Sequence, residues 1–242
     1  MSMFCYQCEQ TAKGTGCAMA RGVCGKEADT ALAQDVLVQV CKGIAQYGFK
    51  ARKLGVRNHE ADVFLLEALF STVTNVNFNT AEIVSLIRRG ALLRIALSQT
   101  CEKGSCCCSG VALSGPAVWD IPGTVEEIVT AGESLSQAKA IEAVGADVAG
   151  LRALILFGLK GMAAYADHAL VLGVEDEEVY AFFHEALDFL ASDPTDVDAL
   201  VGMALRVGEV NLKVMGMLDQ ANTGTYGHPE PTSVRVTPVA GK

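Results

Sequence analysis

Apolar residues recur at helical spacing along most of the chain. From Thr30 onward, Leu32, Val36, Val40, Ile44 and Tyr47 fall on one helical stripe, and Gly55 is a stop. The pattern predicts a second helix over about 60–74 and a third over about 80–97, with Asn79 or Thr80 as its cap. Residues 98–123 lose the period. Thr124-Val-Glu-Glu127 is a capping box that predicts a short helix. Further helices are expected over about 148–172, 175–191 and 196–222. The acidic run Glu175–Glu178 sits in a first turn, where the helix dipole favours it, and His59-Glu60 marks another start. After 223 the period fails again, and Val234-Arg-Val-Thr-Pro238 alternates like the approach to a strand.

The pattern repeats. Lys42–Tyr47 matches Lys160–Tyr165 at an offset of 118 residues. At the same offset Leu54-Gly55-Val56 matches Leu172-Gly173-Val174, Phe64 matches Phe182, and Glu67-Ala68-Leu69 matches Glu185-Ala186-Leu187. The expected fold is all-α: two tandem three-helix bundles related by an internal repeat, preceded by a Cys-rich loop. The expected divisions are a loop over 1–28, a first bundle over 29–97, an irregular Cys-containing connection with a short helix over 98–147, a second bundle over 148–222, and a tail over 223–242.

Half the residues are hydrophobic, enough for a sizeable core, and the formal net charge is -9. That charge argues against a nucleic-acid surface, which needs clustered Lys and Arg. No basic amphipathic stretch suggests a membrane surface. The opening Met1–Cys5 has neither the basic nor the apolar segment of a secretory signal. The most apolar stretch, Leu151–Ala166, is broken by Arg152 and Lys160. A soluble, cytoplasmic protein is expected.

Nine cysteines in such a chain point to metal binding or redox chemistry rather than to a disulfide scaffold. Four lie in the opening loop, as Cys5-x2-Cys8-x8-Cys17-x6-Cys24. One short segment can bring four thiolates to the corners of one cluster. Gly14, Gly16, Gly22 and Gly25 let the backbone bend and turn N–H groups toward sulfur. Lys13, Arg21 and Lys26 would offset part of the thiolate charge. Zinc competes for the same donor set. Cys41, within the apolar run 36–45, reads as a buried small hydrophobe. Cys101, Cys106, Cys107 and Cys108 are a second candidate metal set, but adjacent side chains diverge and do not easily all face one metal, so a loop insertion with incidental thiols is the preferred reading. His168 beside Asp167 and His184 beside Glu185 read as surface or packing residues, because neighbours in a helix do not face each other.

Met3-Phe-Cys-Tyr-Gln-Cys-Glu-Gln-Thr11, Gly16-Cys17 and Gly22-Val-Cys-Gly-Lys26 resemble the opening of the hybrid cluster proteins, also called prismane proteins or hydroxylamine reductases. The likeness continues through Gln34-Asp35, 42–47, 155–166 and Asn222–Pro229. This resemblance implies a helical first domain of two three-helix bundles. It implies that Cys5, Cys8, Cys17 and Cys24 hold a [4Fe-4S] cluster, or a [2Fe-2S] cluster as in some members. That cluster would pass electrons to a hybrid iron–sulfur–oxygen cluster, where hydroxylamine is reduced to ammonia; nitric oxide reduction is also attributed to the family. The hybrid-cluster ligands belong to α/β domains that would follow Lys242, so no catalytic residue is assigned, and His228 is matched to none. On this reading the chain is a first domain: a fragment, a truncated product or one piece of a split protein. Its partners would be a redox protein as electron donor and a chain carrying the remaining domains. A free-standing helical module with structural zinc, or an iron–sulfur redox sensor, are the alternatives.

Overall fold

A computed structural model describes residues 3–6, 8, 12–103 and 113–238, with the backbone alone at 12 and 100–103. Eight α-helices occur among them: α1 (Ala28–Lys53), α2 (His59–Ser71), α3 (Thr80–Lys103), α4 (Val125–Leu135), α5 (Gln137–Val144), α6 (Ala146–Val171), α7 (Glu177–Ala191) and α8 (Val197–Tyr226). The fold is all-α, as the periodicity predicts. The tail over 227–238 leaves α8 without helical structure and forms no strand; Val234 and Val236 are exposed, so its alternation has no sheet to serve.

Local chemistry fixes most of the boundaries. Asn58, Asp176 and Asp196 each accept a backbone N–H of the helix that follows them. Thr124 and Glu127 form the expected reciprocal capping box on α4. Helices α1 and α6, each of 26 residues, end alike. Beyond α1 the Val56 N–H reaches the Ala51 carbonyl at 2.9 Å, with Gly55 at φ 79°; beyond α6 the Val174 N–H reaches the Ala169 carbonyl at 3.0 Å, with Gly173 at φ 78°. A left-handed residue is needed at these positions, and glycine adopts it without strain. Both ends of α6 lie 118 positions after those of α1, and α7 begins 118 positions after α2.

The packing is crossed. α1 packs on α3 and α6 on α8, each within its own half of the chain. The middle helices then change sides: α7 lies chiefly on α1, and α2 lies chiefly on α6. One apolar core results, running from Ala33 through Phe64, Ile87 and Ile155 to Phe183 and Val214. α4 lies on α1 so closely that a Cβ at Gly132 would meet the Leu32 backbone. α6 is, by length and composition, the one described helix apolar enough to cross a membrane. Here it packs against α8, α2 and α5 and carries Lys160 into the interior.

Candidate functional site

The opening loop folds back on itself. Cys5 and Cys17 exchange both backbone hydrogen bonds, at 3.0 and 2.6 Å, and the Met3 N–H donates to Met19. Residues paired this way put their side chains on one face of the ladder, with Cα atoms about 5.5 Å apart. Buried Met3 and Cys17 pack with Ala28 and Ala31, seating the ladder on the first turn of α1. Gly16, at φ 108°, lies directly under the Phe4 ring, where a larger residue has neither the backbone nor the room.

Cys24 is exposed on a second turn, closed by Gly25 N–H to Gly22 and by Gly22 N–H to Lys26. Cys8 is half-buried. The structure thus sets Cys5 opposite Cys17. Among the described residues, no three Cys, His, Asp or Glu side chains converge as a metal-ligating group. As a donor set the loop still fits a thiolate-bound centre: four thiols outside any disulfide on one short segment, carried by a backbone that glycines turn at 14, 16 and 25.

The nearby cations are not disposed as the sequence suggests. Arg21 pairs with Glu27 at the surface. Lys26 turns inward, 1% exposed, and its ammonium donates to Gln34 Oε1 at 2.7 Å. Gln34 in turn donates to the Asn77 carbonyl, so the end of the loop is tied to both α1 and the approach to α3.

Next to Cys5 lies a cavity of about 570 Å³. Phe4 and Tyr6 form one wall, Asp35 and Lys42 of α1 a second, Arg152 and Lys160 of α6 a third, and the α4–α5 corner around Gln137 covers it. Tyr6 stands edge-on to Phe157, with ring centroids 5.6 Å apart, and its buried hydroxyl has no hydrogen-bond partner among the described residues. Burial and the Asp35 carboxylate push that hydroxyl up to about 12. Burial raises the Asp35 carboxyl above the usual carboxylate range, against the pull of Lys160, Lys26 and Lys42. It lowers the ammonium groups of both Lys42 and Lys160. Nothing in the periodicity announces this chamber. The signal that could have found it is a charge at the wrong place: Asp35 inside an apolar stripe, and Lys160 inside the most apolar stretch of the chain.

A second polar cluster lies between the halves. Arg52 of α1 donates to Asp62 of α2 at 2.6 Å and also pairs with Glu177. His184 of α7 meets the same Asp62 oxygen through Nε2 at 2.8 Å. His184 is fully buried, a packing histidine as expected, but its carboxylate partner comes from 122 residues away rather than from Glu185. Its ring lies against Gly48, where a Cβ would collide with it. His168 stands edge-on to Phe70. Cys41 is fully buried, and burial pushes its thiol up to about 12, which leaves it protonated and inert. Side chains at 100–112, including Cys101, Cys106, Cys107 and Cys108, lie outside the described residues.

Comparison with known proteins adds to this geometry. The profile of the Prismane/CO dehydrogenase family matches residues 3–242. Proteins named hydroxylamine reductase from Burkholderia lata, Rhodospirillum rubrum and Escherichia coli O1:K1 / APEC are 49%, 48% and 41% identical to this chain, over 99%, 99% and 100% of its length. The chain spans 44% of each of these relatives.

Proposed function

Because the chain belongs to the Prismane/CO dehydrogenase family, we propose that it is the electron-input region of a hydroxylamine reductase, with an iron–sulfur cluster on Cys5, Cys8, Cys17 and Cys24. The observation that carries this reading is the paired backbone of Cys5 and Cys17. It presents two thiols on one face of a ladder, and Cys8 and Cys24 lie on the same short segment of chain. A cubane [4Fe-4S] cluster is the form proposed, with [2Fe-2S] as the other outcome of the test.

When bound, such a cluster accepts and releases single electrons. The chain's own part is to hold and shield it. The thiols bind as thiolates, so loading releases protons. The ladder fixes Cys5 relative to Cys17 through two backbone hydrogen bonds. The packing of Met3 and Cys17 on α1 ties that ladder to the helical scaffold and excludes water from one side. Exposed Cys24 marks the side from which a donor protein would approach. The electrons would pass to a hybrid iron–sulfur–oxygen cluster carried by the part of the relatives beyond the matched 44%, where hydroxylamine, and by family attribution nitric oxide, is reduced. The cytoplasm, a redox-protein donor and the remaining domains, in the same or another chain, complete the proposal.

Anaerobic reconstitution of the 242-residue chain with iron and sulfide tests it. The expected product is brown, with a broad visible absorption band and a reducible EPR signal. Cys5→Ser and Cys17→Ser should each abolish both, while far-UV circular dichroism stays helical. Hydroxylamine turnover by this chain alone is expected to be absent. A colourless protein that takes up zinc instead would overturn the reading in favour of a structural site.

A further inference from the structure

We propose that the groove between α6 and α8 at Gly161 seats the chain's own tail, residues 231–236. The repeat sets Lys42 against Lys160, Gly43 against Gly161 and Tyr47 against Tyr165. It extends to the helix crossings. α1 and α3 run parallel: Thr30 bonds to Thr80, and further along a Cβ at Gly90 would lie 2.7 Å from Val40. α6 and α8 cross in the same way with the sizes exchanged. A Cβ at Gly158, the counterpart of Val40, would lie 2.6 Å from Val207. One turn past the first crossing, Gly43 stands against the Arg94 side chain. The same turn past the second crossing brings Gly161 beside Asn211.

In the first half of the chain this place is filled. A Cβ at Gly43 would lie 2.5 Å from the Pro116 carbonyl oxygen, and Arg94 donates to that oxygen at 2.8 Å. Gln46 grips the same segment, accepting from the Ala117 N–H and donating to the Ser114 carbonyl. In the second half the place is open. Nothing lies within 4 Å of a Cβ at Gly161. Glycine weakens a helix interior and suits it where another backbone comes close, as at Gly43. The Asn211 side-chain oxygen is buried with no hydrogen-bond partner among the described residues, a state that folded proteins avoid. Tyr47 packs on the core, whereas Tyr165 is exposed, as are Leu212 and Met215 on the neighbouring α8. A carboxamide can pair with a peptide N–H and carbonyl together, so this groove suits an extended backbone with apolar side chains.

Chain order and reach select the occupant. The segment that fills the first place follows α3; the segment that follows α8 is the tail. At the repeat offset Pro116 corresponds to Val234. Asn211 stands about 22 Å back along α8 from Tyr226, at ~1.5 Å per residue. The stretch from Gly227 to Val234 spans about 26 Å when extended, enough to double back to it. Gly227, at φ 77°, turns the chain out of the helix. Pro229 and Pro231 restrict the tail and reduce the freedom it loses on docking. Val234 and Val236, both 92% exposed, fall on one face of an extended strand, and docking withdraws them from water. A seated tail fixes the point from which any further chain departs. Seating requires no cluster, so it stands apart from the function proposed above.

Limited trypsin digestion of the 242-residue chain, followed by mass spectrometry, tests the seat, because Arg235 lies within the docked segment. The Arg235–Val236 bond should be cut at least 10-fold more slowly than in a synthetic peptide of residues 227–242. Gly161→Leu, which fills the groove, and Asn211→Ala, which removes the carboxamide, should each restore rapid cutting while circular dichroism stays native. Gly202→Ala, at another open position of α8, should leave the rate unchanged. A wild-type chain cut as fast as the peptide would overturn the proposal, whatever the variants do. Protection that falls on dilution would overturn it too, by showing that the tail reaches a second copy. Protection that survives in both variants would put the tail on a different surface and overturn the groove.

Discussion

His184 illustrates how single residues hold this molecule together. Its Nε2 and the Arg52 guanidinium converge on one oxygen of buried Asp62, joining α1, α2 and α7 at a point that water does not reach. Burial alone would raise the Asp62 carboxyl. The hydrogen bonds from His184 and Arg52 outweigh it and hold the group below the usual carboxylate range. A carboxyl depressed in the folded state adds stability that is complete above its unfolded pKa, about 3.9. That contribution is lost as pH falls through the lower folded value. Asp62→Asn should therefore cost roughly 3 kcal/mol near neutral pH, because it strands a buried cation. The variant should also flatten the acid limb of the stability curve, as read by urea unfolding across pH 3 to 7 (about the range over which carboxylates titrate). An acid limb as steep as in the wild type would assign the pH dependence to other carboxylates. The close spacing of the four N-terminal cysteines can be read directly along the chain. The partner of His184 was not, since a contact spanning 122 residues leaves no local trace.

At the scale of elements, local chemistry was the readable part. Thr124 with Glu127, Gly55 and Gly173 act within a few residues of themselves, so their roles follow directly from the sequence. Elements that depend on distant partners were harder to place. α3 continues to Lys103, beyond the last strong apolar position at Leu97, and α5 buries no residue that would mark it. The valines of the tail alternate, yet alternation makes a strand only where another strand pairs with it. The two glycine caps give a paired test. Both glycines have open space where an added methyl group would sit, so only backbone strain opposes alanine. Gly55→Ala and Gly173→Ala should each cost about 1 kcal/mol, by equal amounts, in urea midpoints with unchanged m-values. Unequal losses would show that the two helix ends carry different loads.

For the whole molecule, the crossed packing decides how it folds. A repeat in sequence shows which segments are equivalent, but not which copy of a partner each one packs on. That choice depends on the length and path of the connection between the copies. Because α7 covers α1 and α2 covers α6, neither half contains the helix that closes its own core. The intact chain should unfold in one cooperative transition. A fragment of residues 1–123 should show no cooperative transition in urea, followed by circular dichroism. Mixing it with residues 124–242 should restore helical signal and a midpoint. A fragment that folds alone would mean that α2 and α7 can return to their own halves.

The two lysines at one repeat position take on another meaning beside this exchange. Two identical chains that traded their middle helices about a two-fold axis would bring one lysine from each to a shared pocket on that axis. Joining the chains end to end would keep the pocket and release its two walls from identity. Asp35 has Ala153 as its counterpart across the cavity, so the walls have already diverged. In such an ancestor one substitution would have altered both walls at once; in the present chain each wall can be tuned alone.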